Sequence, residues 1–183
     1  MKSDSALRER YIVKLEGRKY MIEIKETTAE DIKNIQRLWA DGDVMRFVGF
    51  PDGLRQTDEE MQEWLCRSSS HRPTVKHFSI YEDAEYCGET FCEVDREHNN
   101  SAALDIKLFS FARGRGIASQ ALSFAIEEAF KNGAKTVWVD HNPQNVKAIA
   151  LYKRLGFKQK AMPGYLTSEG ENTQSIYMEL CRE

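Results

Sequence analysis

The residues best placed to do chemistry lie in FARGRGIASQ, residues 111–120, where Arg113, Gly114, Arg115 and Gly116 run together and a helix starts at once. Downstream of them Ile117, Ala118, Ala121, Leu122, Ala125, Ile126, Ala129 and Phe130 recur at helical spacing. The glycines and arginines therefore stand at a helix N-terminus, where unpaired backbone N–H groups and the positive end of the helix dipole attract an anion. Lacking a Cβ, Gly114 and Gly116 let the backbone curl close to phosphate oxygens, and Arg113 and Arg115 add charge. No Lys-Ser/Thr pair follows Gly116, so this is not a Walker loop, and the Gly-x-Gly spacing is not a dinucleotide fingerprint. On its own the turn reads equally as a strand-to-helix connection with solvated arginines.

A second constellation is NPQNVKAIALYKRLGF, residues 142–157. Asn142 suits an N-cap and Pro143 a first helical position, which predicts a helix over residues 143–155 that Gly156 stops. Asn145 and Tyr152 are two helical turns apart and share a face. A ligand across the end of the intervening strand TVWVD can touch both while its phosphates rest on the first helix. Taken singly, Asn145 is a first-turn polar residue and Tyr152 a half-buried tyrosine. A third set is acidic. Glu89, Glu93, Asp95 and Asp105 lie on two neighbouring strand-like runs, where they either line a pocket or coat a solvated sheet face.

Other candidates carry less. His71, His77, His98 and His141 have no ligand spacing with one another or with Cys66, Cys87, Cys92 and Cys181, so no metal site is expected. Cys87 and Cys92 are expected on opposite faces of a regular strand. His141 ends TVWVD and reads as a polar loop residue or a proton shuttle. Trp39 and Trp64 fall on apolar helix faces and read as core.

The elements that must position these residues follow from pattern. YIVKL and YMIEI predict a hairpin around Gly17. Thr27 or Thr28 opens a helix with Ile32, Ile35, Leu38 and Trp39 inward, and VMRFVGFPDG is irregular. Thr57 caps a helix carrying Met61, Trp64 and Leu65. HFSIYE, YCGETFCEVD and SAALDIKLFS form an antiparallel meander. A β-α-β-α-β-β run follows, ending in QSIYMEL. The fold class is a mixed α/β (α+β) sheet in one domain over residues 19–183, after an extension and hairpin arm over residues 1–18.

Composition bounds the partners. With 26 basic and 29 acidic residues the net charge is −3, which gives no general attraction to nucleic acid or to a membrane surface. The apolar runs are too short to span a bilayer, and MKSDSALRER lacks the apolar core of a secretion signal. The cysteines have neither CxxC spacing nor disulfide density, so a cytoplasmic protein with reduced thiols is expected.

Together the two constellations resemble the GCN5-related N-acetyltransferase (GNAT) family. Arg113-x-x-Gly116-x-Ala118 is similar to its acetyl-CoA signature, and Asn145-x-x-Ala148-x-x-x-Tyr152-x-x-x-Gly156-Phe157 to its second signature, in order and at the family's separation. VMRFVGFP is loosely similar to a loop in relatives that acetylate ribosomal-protein N-termini. The resemblance implies the acyl-CoA N-acyltransferase fold and transfer of acetyl from acetyl-CoA to a small or peptide amine, without a metal. It implies that Ile106 and Leu108 offer main-chain hydrogen bonds to the thioester arm where the strand splays from its neighbour. It also implies that residues from Arg113 to Ser119, with Gly114, Arg115, Gly116, Ile117 and Ala118 between them, hold the pyrophosphate. Asn145 and Tyr152 complete the cofactor side, Tyr152 protonates the leaving thiolate, and Asp105, then Glu93, rank first as base. Alternatives from other classes are an acyl-CoA-sensing module without turnover and a nucleotide-binding structural domain. SIYMEL and the first hairpin are expected to present sheet edges at which a homodimer can form.

Overall fold

The computed structural model describes residues 10–13, 21–167 and 175–182. Its chain order is β1 (Arg10–Val13), β2 (Ile22–Glu26), α1 (Ile32–Trp39), α2 (Gly42–Met45), α3 (Asp58–Ser70), β3 (Val75–Glu82), β4 (Glu85–Asp95) and β5 (Ser101–Leu108). Then come α4 (Ile117–Lys131), β6 (Thr136–His141), α5 (Val146–Arg154), β7 (Lys158–Gln159) and β8 (Ile176–Cys181). The strands make one sheet in the order β1-β2-β3-β4-β5-β6-β8-β7, antiparallel throughout except for the parallel pair β5–β6.

Local chemistry explains the helix starts. Thr57 Oγ1 accepts from the Glu60 N–H at 3.2 Å and Glu60 Oε2 accepts from the Thr57 N–H at 2.7 Å, a capping box at the head of α3. Thr28 precedes α1 by one 3-10 turn, Ala29–Asp31, and its N–H donates to Asp31 Oδ2 at 2.8 Å. Thr27 does not cap. It is buried, and its hydroxyl lies 3.1 Å from that of Ser79. The stretch expected to be irregular holds α2 and a further 3-10 turn, Arg46–Val48.

Two cores flank the sheet. β5, β6 and β7 run parallel to one another, since β6 and β7 each oppose β8. Right-handed crossovers then put α4 and α5 on the same face. There Ile117, Ala121, Leu122 and Ala125 of α4 and Leu151 and Tyr152 of α5 share a cluster with Leu104, Val137 and Val139. Each such large apolar side chain contributes ~1.5–3 kcal/mol on burial. The opposite face carries α1, α2 and α3 over Ile35, Leu38, Met45, Met61 and Tyr86.

Two expectations change. Cys87 and Cys92 lie in one core, because register shifts between Ile80 and Tyr81 make Cys87 the extra residue of a β-bulge and cancel the alternation. Beside it any Cβ on Gly88 would meet the Lys107 carbonyl oxygen at 2.0 Å, so glycine is required there. β8 is not an edge, because β6 and β7 flank it, whereas β1 is. The tip of the first hairpin, around Gly17, lies outside the described residues.

Candidate active site

β5 and β6 pair only through Ser101–Ala103 against Thr136–Trp138. Beyond Ala103 the strands part, while β5 runs on to Leu108 and β6 to His141. The Phe109 N–H donates to the Cys87 carbonyl on β4 at 3.0 Å. By strand alternation the N–H and C=O of Leu108 and Ile106 therefore face the opening. Two of those groups are already engaged. Arg113 Nε donates to the Leu108 carbonyl at 3.0 Å, and the Ile106 N–H donates to Asp105 Oδ1 at 2.7 Å. The Leu108 N–H and the Ile106 carbonyl are left as the groups aimed between the strands.

At the mouth of this opening sits the head of α4. Gly114 and Gly116 have φ of 75° and 79°, the left-handed region that favours glycine, and Gly116 is the N-cap. The N–H groups of Ile117, Ala118 and Ser119 belong to the first turn and have no intrahelical acceptor. The Ile117 side chain is fully buried, so only its main chain serves the mouth. The arginines hold the turn in shape. Arg113 Nη2 donates to the Asp43 carbonyl at 3.2 Å, tying the turn to α2. Arg115 Nη2 lies 2.6 Å from Glu82 Oε2 at the buried end of β3. Both side chains thus bond neighbouring segments, Arg113 while exposed and Arg115 while partly so.

α5 begins later than expected. Asn142 Oδ1 accepts from the Gln144 N–H at 2.9 Å in a local turn, and the N-cap is Asn145, whose Oδ1 accepts from the Ala148 N–H at 3.3 Å. Pro143 therefore lies in the loop. Tyr152 is buried, and its ring centroid is 5.1 Å from that of His141 and 5.8 Å from that of Phe157. Burial raises its phenol well above the usual range, and the charge of Asp105 adds to the shift. The phenol thus keeps its proton and lies within electrostatic reach of the diverging half of β5.

The acidic residues separate. Asp105 lies on that diverging half, bonded to Lys107 Nζ and to its own following amide. Glu93 is exposed and pairs with Ala103 at the closed end, apart from Asp105 and Tyr152. Asp95 accepts from His98 in the turn after β4. Of these four the deeply buried one is Glu89, which accepts from Trp39 Nε1 at 2.6 Å and lies 3.6 Å from Lys107 Nζ. Burial raises its carboxyl, and Lys107 and Trp39 oppose that shift. Beside it Trp39, Trp64, His77 and Phe91 form a chain of ring contacts with centroids 4.8–5.1 Å apart. Sequence pattern put Trp39 and Trp64 in the core; the structure adds that Trp39 is the polar partner of Glu89.

A cavity of about 500 Å³ opens at the ends of these strands, between Phe47 and Val48 on one side and residues 140–144 on the other, with Ser175 at its edge. His141 lines it, buried, with neither ring nitrogen hydrogen-bonded. The loop over residues 162–173 is described only to Thr167.

A parted pair of parallel strands, an amide-rich helix start at their mouth and a buried phenol beside them define an acyl-CoA N-acyltransferase fold. The profile described as acetyltransferase (GNAT) domain matches residues 22–158, and the chain belongs to that family. Those residues are an N-acetyltransferase domain. The chain is 33% identical over 72 residues to GCN5-related N-acetyltransferase 6, chloroplastic, of Arabidopsis thaliana; the match spans 38% of this chain and 25% of the plant protein. In fold it is similar to spermidine N-acetyltransferase from Vibrio cholerae, solved with CoA and spermine, with TM-score 0.71, 18% identity and coverage of 87% and 95% of the two chains. It is also similar to ribosomal-protein-alanine N-acetyltransferase from Brucella melitensis, with TM-score 0.71, 19% identity and coverage of 87% and 99%. Among the described residues no helix is long and apolar enough to cross a membrane.

Proposed function

We propose that the protein transfers the acetyl group of acetyl-CoA to a primary amine, a small amine or a protein N-terminus, by direct attack. The observation that carries this reading is the parting of β5 and β6 beyond Ala103 and Trp138, with the Gly114–Gly116 turn at its mouth. That opening suits a thioester arm bonded to the Leu108 N–H and the Ile106 carbonyl. The N–H groups of residues 117–119 suit a pyrophosphate, and the open space around Gly114 leaves room for it. The chain spans part of its plant relative only, so the substrate rests on the site itself.

The chemistry then follows. An alkyl ammonium has a pKa near ~10.4 and an α-ammonium near ~8, so a proton leaves before attack. The neutral nitrogen adds to the thioester carbonyl, and the Leu108 N–H is placed to stabilise the oxyanion. The carbon–sulfur bond breaks as the thiolate, like a cysteine of pKa ~8.5, takes the Tyr152 proton. The phenolate recovers a proton from the acylated nitrogen. Asp105, close to the opening and anchored by Lys107, draws the ammonium in and is the first carboxylate to consider as base. Free cysteines fit a thiol-reducing compartment such as the cytoplasm.

The test is thiol release from acetyl-CoA with spermidine, an N-terminal-alanine peptide and a small alkylamine. Release with any of them, at one acetylated amine per thiol, supports the reading. Tight acetyl-CoA binding without release from any amine would favour the sensing module instead.

A further inference from the structure

We infer that Glu82 is a positioning residue for the acetyl donor: through Arg115 it holds the Gly114–Gly116 turn in the shape that presents the first amides of α4 to the pyrophosphate. This rests on the transferase reading above, and Glu82 lies in neither of the two signature segments.

The turn needs an anchor. Gly114 and Gly116 sit at φ of 75° and 79°, and a Cβ built on Gly114 would meet nothing within 4 Å. Arg113, Gly114 and Gly116 are all exposed. Glycine loses more backbone freedom than any other residue when it is fixed, and the open space around Gly114 offers no packing to offset that. Arg115 stands between the two glycines, and its Nη2 is 2.6 Å from Glu82 Oε2. Arg113 holds the other side of the turn, through the Leu108 and Asp43 carbonyls.

The far end of the Arg115 link is rigid. The Glu82 side chain is 6% exposed, against 37% for Arg115. Glu82 pairs with Ile22 of β2 and with Glu85 of β4. The connection between β3 and β4 is pinned in turn: the Asp83 N–H donates to the Met21 carbonyl at 3.1 Å, and the Met21 N–H donates to Asp83 Oδ1 at 3.0 Å. A buried carboxylate has given up its water and needs its cation, which keeps the guanidinium at this spot. The frame that fixes Glu82 therefore fixes the turn before any ligand arrives. Such preorganisation raises affinity without a contact to the ligand.

Two effects of removing Glu82 oppose each other, and their sizes decide the sign. A released Arg115 can attract the pyrophosphate, but a surface ion pair corresponds to at most about fivefold in affinity. Releasing the backbone of even one turn residue corresponds to about 5- to 30-fold. Binding weakens, although a negative charge has been taken from beside an anion site.

The experiment compares wild type, Glu82→Gln, Arg115→Gln and the double variant. Acetyl-CoA affinity is measured by calorimetry and turnover by thiol release with phenethylamine. Hydrogen exchange of the ligand-free proteins over residues 113–119 reports the turn, and thermal melting reports the fold. Glu82→Gln should bind acetyl-CoA on the order of tenfold more weakly. Its KM should rise by the same factor, with kcat within about twofold of wild type. Residues 113–119 should exchange faster in it, while α4 from Ala121 onward does not change. Arg115→Gln strands the buried carboxylate and is the variant at risk of unfolding; the double variant removes that charge and reports the loss of the link by itself. The double variant should bind no worse than the weaker single one, because either change breaks the same link. Equal or tighter binding in Glu82→Gln would overturn the assignment and make Arg115 a direct phosphate ligand instead. A fall in kcat with KM unchanged, or unchanged exchange over residues 113–119, would overturn it too. A wild type that binds no acetyl-CoA would overturn the transferase reading, and this inference with it.

Discussion

Lys107→Met probes the buried charge cluster of Lys107, Glu89 and Asp105. Lys107 is 14% and Glu89 4% exposed at the side chain, with Nζ 3.6 Å from Glu89 Oε1 and a bond to Asp105. At an effective dielectric of about 20, the Glu89 attraction alone amounts to ~4–5 kcal/mol. Removing one partner of a buried pair typically costs ~3–5 kcal/mol, because the other charge is left uncompensated. With a urea m-value of ~2 kcal/mol/M, the unfolding midpoint should fall by about 2 M. The pH dependence has a definite sign. The Glu89 carboxyl is raised by burial, so its protonated form is the one the folded state favours. That preference is fully present below the unfolded carboxyl pKa of ~4.3 and is lost as pH rises through the folded value. Without Lys107 the folded value rises further, so the deficit against wild type should be larger at pH ~7 than at pH ~5. Lys107→Met with Glu89→Gln removes the stranded charge while keeping an acceptor for Trp39, and should recover most of the loss. Urea melts of wild type, both single variants and the pair measure this. A deficit under ~1 kcal/mol, the range of a surface pair, would refute the reasoning, as would no recovery in the pair.

Tyr152→Phe keeps the ring against His141 and Phe157 and removes only the phenolic proton. Steady-state thiol release should fall ~10²-fold in kcat, about 2.7 kcal/mol of barrier, with acetyl-CoA affinity unchanged. Unchanged turnover would remove Tyr152 from the chemistry. Gly116→Val should destroy acetyl-CoA binding in calorimetry by crowding the amides at the head of α4. At φ 79° the change also strains the backbone by ~1–2 kcal/mol, so thermal melting should show a smaller, separate loss. Retained affinity in a folded variant would rule out the phosphate cradle.

Much of this was legible because local pattern determined it. The apolar period from Ile117 marked α4, Thr57 as a cap marked the head of α3, and positions two residues apart put Asp105 and Lys107 on one face. What pattern missed depends on pairings between distant segments. The bulge that turns Cys87 inward exists only where β3 and β4 meet, and the depth of Glu89 depends on α1 laying Trp39 over it. Two asparagines competed to start α5, and Asn142 lost because its side chain closes a local turn instead. His141 looked like a loop residue because its ring packs against Tyr152 on α5, which is not adjacent in sequence. The single clue to it was its place at the end of TVWVD.

The most direct test of the transferase site is a calorimetric titration with acetyl-CoA, with NAD and ATP as controls. Saturable binding of one acetyl-CoA per chain in the micromolar range, lost in Gly116→Val and not matched by NAD or ATP, is the predicted result. Absence of binding, or equal binding of all three ligands, would contradict the assignment of the β5–β6 opening and the Gly114–Gly116 turn to the acetyl donor.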